Sequence, residues 1–311
     1  MPPQSRRRRR RDQRRRPVLY AAVASAVLLS ATAATTVYVK ARAHDATALV
    51  SHITSSGEDP SVSPSPSPTV DLDALLAKAV RSAAAGHDGD VSVSVLDMDT
   101  GTRASYASGD RTYDTASIVK VDILAALLLR ARDEGRSLTA REKTYATAMI
   151  EHSDNASTTQ LWDTIGRADG LDAANERLGL SGTTGGNGPL WGLTQTTADD
   201  QLTLLKQVFG VGDDLALDAD ARAYVQELMG NVESDQAWGV SAAGDDTALK
   251  NGWLQRSTTG LWDINSVGRV SGAGKRYLVA VVSNGSATKD AGIALVEDVA
   301  RAAVPVLSAG G

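Results

Sequence analysis

Ser117-Ile-Val-Lys120 stands at the head of an apolar run, Ile123-Leu-Ala-Ala-Leu-Leu-Leu129. Residues three apart on a helix share a face, so the lysine amine can reach the serine hydroxyl. An apolar setting lowers a lysine pKa because desolvation penalises the charged form, and the neutral amine can then take the serine proton. A helix N-terminus also favours the negative charge that develops on Ser117. Alone the pair says little. Ser286-Ala-Thr-Lys289 has the same form, and most such pairs are a helix cap followed by a solvated lysine.

Two further groups add weight. Ser153-Asp154-Asn155 follows Glu151-His152 between two helical stretches. All three residue types favour helix N-caps, but a serine there can also pass a proton to a leaving nitrogen while the Asn155 amide holds a substrate or Lys120. Lys250-Asn251-Gly252 ends a short strand pattern. A turn is the simpler reading; the chemical one has Gly252 admit a substrate closely and Lys250 meet its carboxylate. The order of the three, on a buried helix, between helices and on a late strand, is hard to obtain from caps and turns alone.

The elements that must position these residues follow from periodicity. Helical spacing marks 71–85, where Leu72, Leu75, Leu76 and Val80 share a face. Val91-Ser-Val-Ser-Val-Leu96 alternates as a strand, turns at Asp99-Thr-Gly101 and returns from Arg103 to Tyr106. A helix from Ser117 through Leu129 is apolar enough to be buried on most sides. Helices are expected over 139–151, 156–165, 171–178, 196–209 and 219–229, then a strand at Thr247-Ala-Leu249, a hairpin from 262–270 to 276–282, and a closing helix over 291–306. Strands at both ends with helices between them predict an α+β fold: an antiparallel sheet flanked by helices, with an inserted all-helical subdomain. Clefts form at such junctions.

Ser117-Ile-Val-Lys120, Ser153-Asp154-Asn155 and Lys250-Asn251-Gly252 together resemble the Ser-x-x-Lys, Ser-Asp-Asn and Lys-Thr-Gly elements of class A β-lactamases and penicillin-binding proteins. The resemblance spans roughly residues 71–308. It implies that Ser117 is the acylated nucleophile, Lys120 its base, Ser153 the proton shuttle and Lys250 the carboxylate anchor. It further implies an oxyanion hole made by the backbone N–H groups of Ser117 and Trp253, with Asn155, Asn251 and Gly252 completing the site. No cofactor is implied. The substrate class is a β-lactam or a peptidoglycan stem peptide.

Three departures from that pattern bear on activity. Asn251 replaces the usual Thr or Ser and can still donate a hydrogen bond to a substrate. Only 36 positions separate Ser117 from Ser153, so one rim of the cleft is shortened and the entrance widened. Class A enzymes also carry a loop Glu that activates the deacylating water, whereas residues 181–198 contain no acid. Glu176 upstream reads as a solvated helix carboxylate, and Asp199 and Asp200 as helix N-terminal acids. Acylation without efficient deacylation is the expectation. The alternative is a catalytically silent module that binds peptidoglycan or an envelope protein; the intact relay counts against it.

Composition narrows the remaining classes. The 311 residues include no Cys and four His without a His-Glu-x-x-His, which removes thiol nucleophiles and disfavours a zinc hydrolase. No Gly-x-Ser-x-Gly elbow is present, and 268–275 is one residue too long for a phosphate loop and has Arg276 at the magnesium-ligand position. Residues 1–16 hold nine Arg and one Asp within a chain of net charge −5. Residues 18–39 are uncharged, and as a helix they would extend about 33 Å, enough for a hydrocarbon core of about 30 Å. That order reads as a cytoplasmic Arg-rich segment and a membrane span or signal at 17–43, not as a nucleic-acid tail. A Ser/Pro-rich linker at 44–70 then leads to a domain over 71–311. Small residues at Ala31-Thr-Ala33 and Ala41-Arg-Ala43 keep cleavage open, so the domain is expected outside the cell membrane, either anchored or secreted, as a monomer.

Overall fold

The computed structural model describes residues 70–108, 112–272 and 274–310. The Arg-rich, apolar and Ser/Pro-rich segments expected over 1–69 lie outside them. Among the described residues no helix is long and apolar enough to cross a membrane, and no group of His, Cys, Asp and Glu is placed to hold a metal ion.

The described residues open with α1 (Leu72–Ala83), capped by Asp71, whose carboxylate accepts the Ala74 N–H at 3.0 Å. The hairpin β1 (Asp90–Asp97) and β2 (Arg103–Ala107) follows, then a two-residue strand β3 (Tyr113–Asp114) and a 3-10 turn at Ala116–Ile118. The helical insertion comprises α2 (Val119–Asp133), α3 (Ala140–Glu151), α4 (Asn155–Ile165), α5 (Arg167–Leu178), α6 (Ala198–Phe209) and α7 (Ala219–Gly230), with β4 (Gln195–Thr196) before α6. Strands β5 (Asp246–Gln255), β6 (Trp262–Gly272) and β7 (Lys275–Ser286) complete the sheet, and α8 (Lys289–Ala303) closes the fold.

All pairings in the five-stranded sheet are antiparallel, in the order β2-β1-β7-β6-β5. Period-two alternation distributes the central strand between two cores. On β7, Tyr277, Val279 and Val281 face a core shared with Leu76 and Val80 of α1 and Leu295, Val296 and Val299 of α8. Leu278, Ala280 and Val282 face the core of the helical insertion, where Ile123, Leu124 and Leu127 of α2 are fully buried. The α+β architecture agrees with the sequence reading.

Three details differ from expectation. Ser117 lies in the 3-10 turn ahead of α2, not on the helix itself. Lys250-Asn251-Gly252 falls in the middle of β5, not at a strand end. The short pairing of β3 with β4 lacks a periodic signature because two residues cannot show one. It ties the segment before Ser117 to the loop over 181–198, with the Thr115 N–H donating to the Thr194 carbonyl at 2.9 Å.

Candidate active site

Ser117 follows Ala116, whose backbone is left-handed at φ 47°, a conformation that costs about 1–2 kcal/mol for a residue with a Cβ. One face of this turn rests on β5 at Gly252. A Cβ there would lie 2.7 Å from the Ser117 amide nitrogen and 2.7 Å from the Thr115 carbonyl oxygen. The glycine is expected from sequence to admit a substrate; what it admits is the backbone of the Ser117 turn.

The Ser153-Asp154-Asn155 group divides its work by position. Asp154 is the N-cap of α4, its carboxylate accepting the Ser157 N–H at 2.6 Å, and hydrogen bonding to Ser157, through its side chain first and its backbone second, holds the Asp154 pKa below the usual carboxylate range. Ser153 stands in the left-handed region at φ 53°, between the two helices. Lys120 Nζ donates to the Ser153 carbonyl at 2.7 Å, to Ser153 Oγ at 2.9 Å and to Asn155 Oδ1 at 2.9 Å. The middle residue caps the helix while its neighbours hold the lysine.

Lys250 reaches the same hydroxyl from the sheet, with Nζ 3.1 Å from Ser153 Oγ and 3.2 Å from the Asn251 carbonyl. Both lysines are fully buried. Burial, with the nearby Lys250 charge, lowers the Lys120 pKa from 10.5 to about 6 against the opposing pull of Asp154. Burial lowers that of Lys250 to about 7. Burial therefore favours the neutral amine of Lys120, which has two N–H groups and can accept from Ser153 Oγ.

A pocket of about 190 Å³ is walled by Ala116, Ser117, Ser153, Asn155, Trp191, Gly192, Trp253 and Leu254. Trp191 and Gly192 come from the acid-free loop, and the Trp191 ring centroid lies 5.0 Å from Lys120 Nζ. An aromatic face thus stands beside the amine. The pocket shares Trp191, Gly192 and Leu254 with a neighbouring hollow of about 510 Å³, which Pro189, Leu190 and Leu193 make mainly apolar. A larger hollow of about 640 Å³ near Arg256 and Asp263 contains none of the motif residues, so size does not identify the site.

Asn251 is placed otherwise than expected. It alternates with Lys250 along β5, and its amide donates to the carbonyls of Gln236 at 2.6 Å and Trp238 at 2.9 Å. It is fully buried and does not wall the pocket. The amide expected to meet a substrate is bonded instead to these two carbonyls. Trp253 does wall the pocket, while its ring lies 6.0 Å from Trp238 and 4.2 Å from Lys289 Nζ.

Other sequence candidates fall away from the site. Glu176 is exposed on α5. Asp199 accepts from Ser94 Oγ at 2.6 Å, and Asp200 accepts the Gly182 N–H and Thr183 Oγ1 at 2.8 and 2.6 Å. His152 pairs with Glu233 at the surface. Two buried acids escaped the sequence reading. Asp122, on the far side of α2 from Lys120, is raised by burial to about 8, and its carboxylate accepts from the Asn175 amide. Asp263 is raised to about 7 by burial and by Asp114.

Comparison with known proteins bears on the family and the fold. A family model described as the beta-lactamase enzyme family matches residues 75–144 and 134–307. No curated protein matches the chain. Among solved structures, the TLA-3 extended-spectrum beta-lactamase superposes with a TM-score of 0.65 at 16% identity, over 74% of this chain and 97% of that one. A beta-lactamase from Burkholderia phymatum gives 0.63 at 18% identity, over 76% and 100%. A variant of PBP-A, solved as an acyl-enzyme complex with penicillin G, gives 0.64 at 22% identity, over 78% and 99%.

Proposed function

The chain belongs to the beta-lactamase enzyme family, and from that premise we propose that it is a serine acyl-transfer enzyme, acylated at Ser117 by a β-lactam or a peptidoglycan stem peptide and slow to deacylate. The observation that carries the reading is the meeting of Lys120 and Lys250 on one hydroxyl, Ser153 Oγ, at 2.9 and 3.1 Å, in the wall of the pocket that holds Ser117. A module kept only for binding has no use for two buried lysines on one hydroxyl, since each costs stability when desolvated.

The steps follow from the groups present. Neutral Lys120 takes the Ser117 proton as Oγ attacks the substrate carbonyl carbon. The backbone N–H groups of Ser117 and Trp253 receive the developing oxyanion. Ser153 Oγ gives its proton to the leaving nitrogen as the carbon–nitrogen bond breaks, and is re-protonated through Lys120. Lys250 in its charged form pairs with the substrate carboxylate, and the apolar hollow past Leu254 receives the acyl side chain. Deacylation needs a base for water. The loop over 181–198 offers none and places Trp191 beside Lys120 instead. The acyl-enzyme of the PBP-A variant with penicillin G is a precedent on the same fold. The Arg-rich and apolar N-terminal segments support placing the domain outside the cell membrane.

The test is to mix the full-length chain with a chromogenic cephalosporin and follow absorbance and intact mass for an hour. A lasting adduct on Ser117 with at most one equivalent of colour is expected, and none on Ser117→Ala. Sustained colour release would overturn slow deacylation, and a wild type that never forms an adduct would overturn the enzyme reading.

A further inference from the structure

Asn265 lies outside all three motifs, fully buried on β6 and directly across from Gly252 of β5. Its Nδ2 donates to the carbonyls of Asp114 at 2.9 Å and Thr115 at 3.0 Å, and its Oδ1 accepts the Ser283 N–H of β7 at 3.0 Å. Both amide donors therefore end on the two peptide carbonyls that lead into Ala116 and Ser117. The oxygen ties the same side chain to the central part of the sheet.

The turn needs such support. Ala116 is held at φ 47°, and neither the Ala116–Ile118 turn nor α2 has a side-chain cap of its own. The α3, α4, α6 and α7 helices each begin on a residue whose side chain accepts a backbone N–H. Strain of this kind persists only where the surroundings over-determine the backbone. Gly252 fixes how near the turn lies to β5; Asn265, one strand further in, fixes how its peptides are rotated. An amide buried this deeply is tolerated because its donors and acceptor are all matched, and a matched network is rigid.

We infer that Asn265 is a positioning residue for acylation: by pinning the Asp114 and Thr115 carbonyls it aims the Ser117 hydroxyl and backbone N–H at the substrate carbonyl. This deepens the reading of Ser117 as nucleophile and rests on it. Without the two bonds the peptides on either side of Thr115 can rotate, and the Ser117 N–H swings with them. A misplacement of about 1 Å at a reacting group can cost about 100-fold in rate.

Full-length wild type, Asn265→Ala and Asn265→Ser are compared by the rate of penicillin adduct formation across penicillin concentrations. Each rate is expressed per molecule that is eventually acylated, which removes any unfolded fraction. The limiting acylation rate of Asn265→Ala is expected to fall about 10- to 100-fold while the half-saturating concentration stays within about threefold. Asn265→Ser keeps one donor and should lie between them; it also carries the comparison if the alanine variant does not fold. A purely structural asparagine would lower the number of acylatable molecules and leave their limiting rate unchanged, and that result overturns the inference. A wild type without adduct overturns the acylation reading itself, and the inference with it.

Discussion

The two buried lysines predict an unusual dependence on pH. Lys120 must lose its proton to act as base, so acylation efficiency should rise as pH passes about 6. Lys250 must keep its proton to meet a carboxylate, so for carboxylate-bearing acyl donors efficiency should fall again above about 7. The expected profile is a narrow bell. An acyl donor whose carboxylate is esterified should retain the acid limb and lose the alkaline one, as stopped-flow measurements of acylation from pH 5 to 9 would show. Lys120→Met should abolish acylation. It should also raise thermal stability at neutral pH, because burial of Lys120 forces the folded state to give up a proton that the unfolded chain keeps; an unchanged or lower midpoint in calorimetry would contradict that account.

At the scale of elements, Gly252 links β5 to the turn that carries Ser117. In Gly252→Ala the new methyl would press on three backbone atoms of the 115–118 turn, none of which can step aside independently. A loss of about 1–3 kcal/mol, with much slower adduct formation, is expected from denaturant melts and mass-resolved kinetics. Asp154→Ala removes the cap of α4 and should cost about 1 kcal/mol, with a smaller effect on acylation because Ser153 and Asn155 make the contacts to Lys120. The three motifs were legible in the sequence because their residue types and order are unusual, and the helices because their apolar spacing is regular. What escaped has a physical cause. Asn265 is a polar residue on an alternating strand, and nothing local distinguishes an amide facing solvent from one clamping a distant turn. Asp122 sits one residue before Ile123 and reads as a helix N-terminal acid, though the fold buries it completely. The resemblance sets Asn251 against a substrate, but the fold spends its amide on the Gln236 and Trp238 carbonyls, which no local pattern announces.

For the molecule as a whole, four buried groups act on stability in opposite directions. Asp122 and Asp263 are raised to about 8 and about 7, so between about pH 4 and those values the folded state binds more protons than the unfolded chain and stability falls as pH rises. Lys120 and Lys250 are lowered to about 6 and about 7. Above those values, up to about pH 10, the unfolded chain binds more protons and stability rises with pH. The melting temperature should therefore pass through a minimum near pH 7. Asp122→Asn should flatten the acid side and Lys120→Met the alkaline side; a midpoint that is flat from pH 5 to 9 in wild type would count against both. The placement of the pocket has a different consequence. Its walls come from the helical insertion through Ser153, Asn155 and Trp191, and from the sheet through Trp253 and Leu254, so it works as a mechanical gauge of how those layers mate. A slippage too small to melt any helix or strand would already change the angle between Ser117 and the proposed oxyanion donors, and on the proposed function heat should stop acylation several degrees before it unfolds the protein.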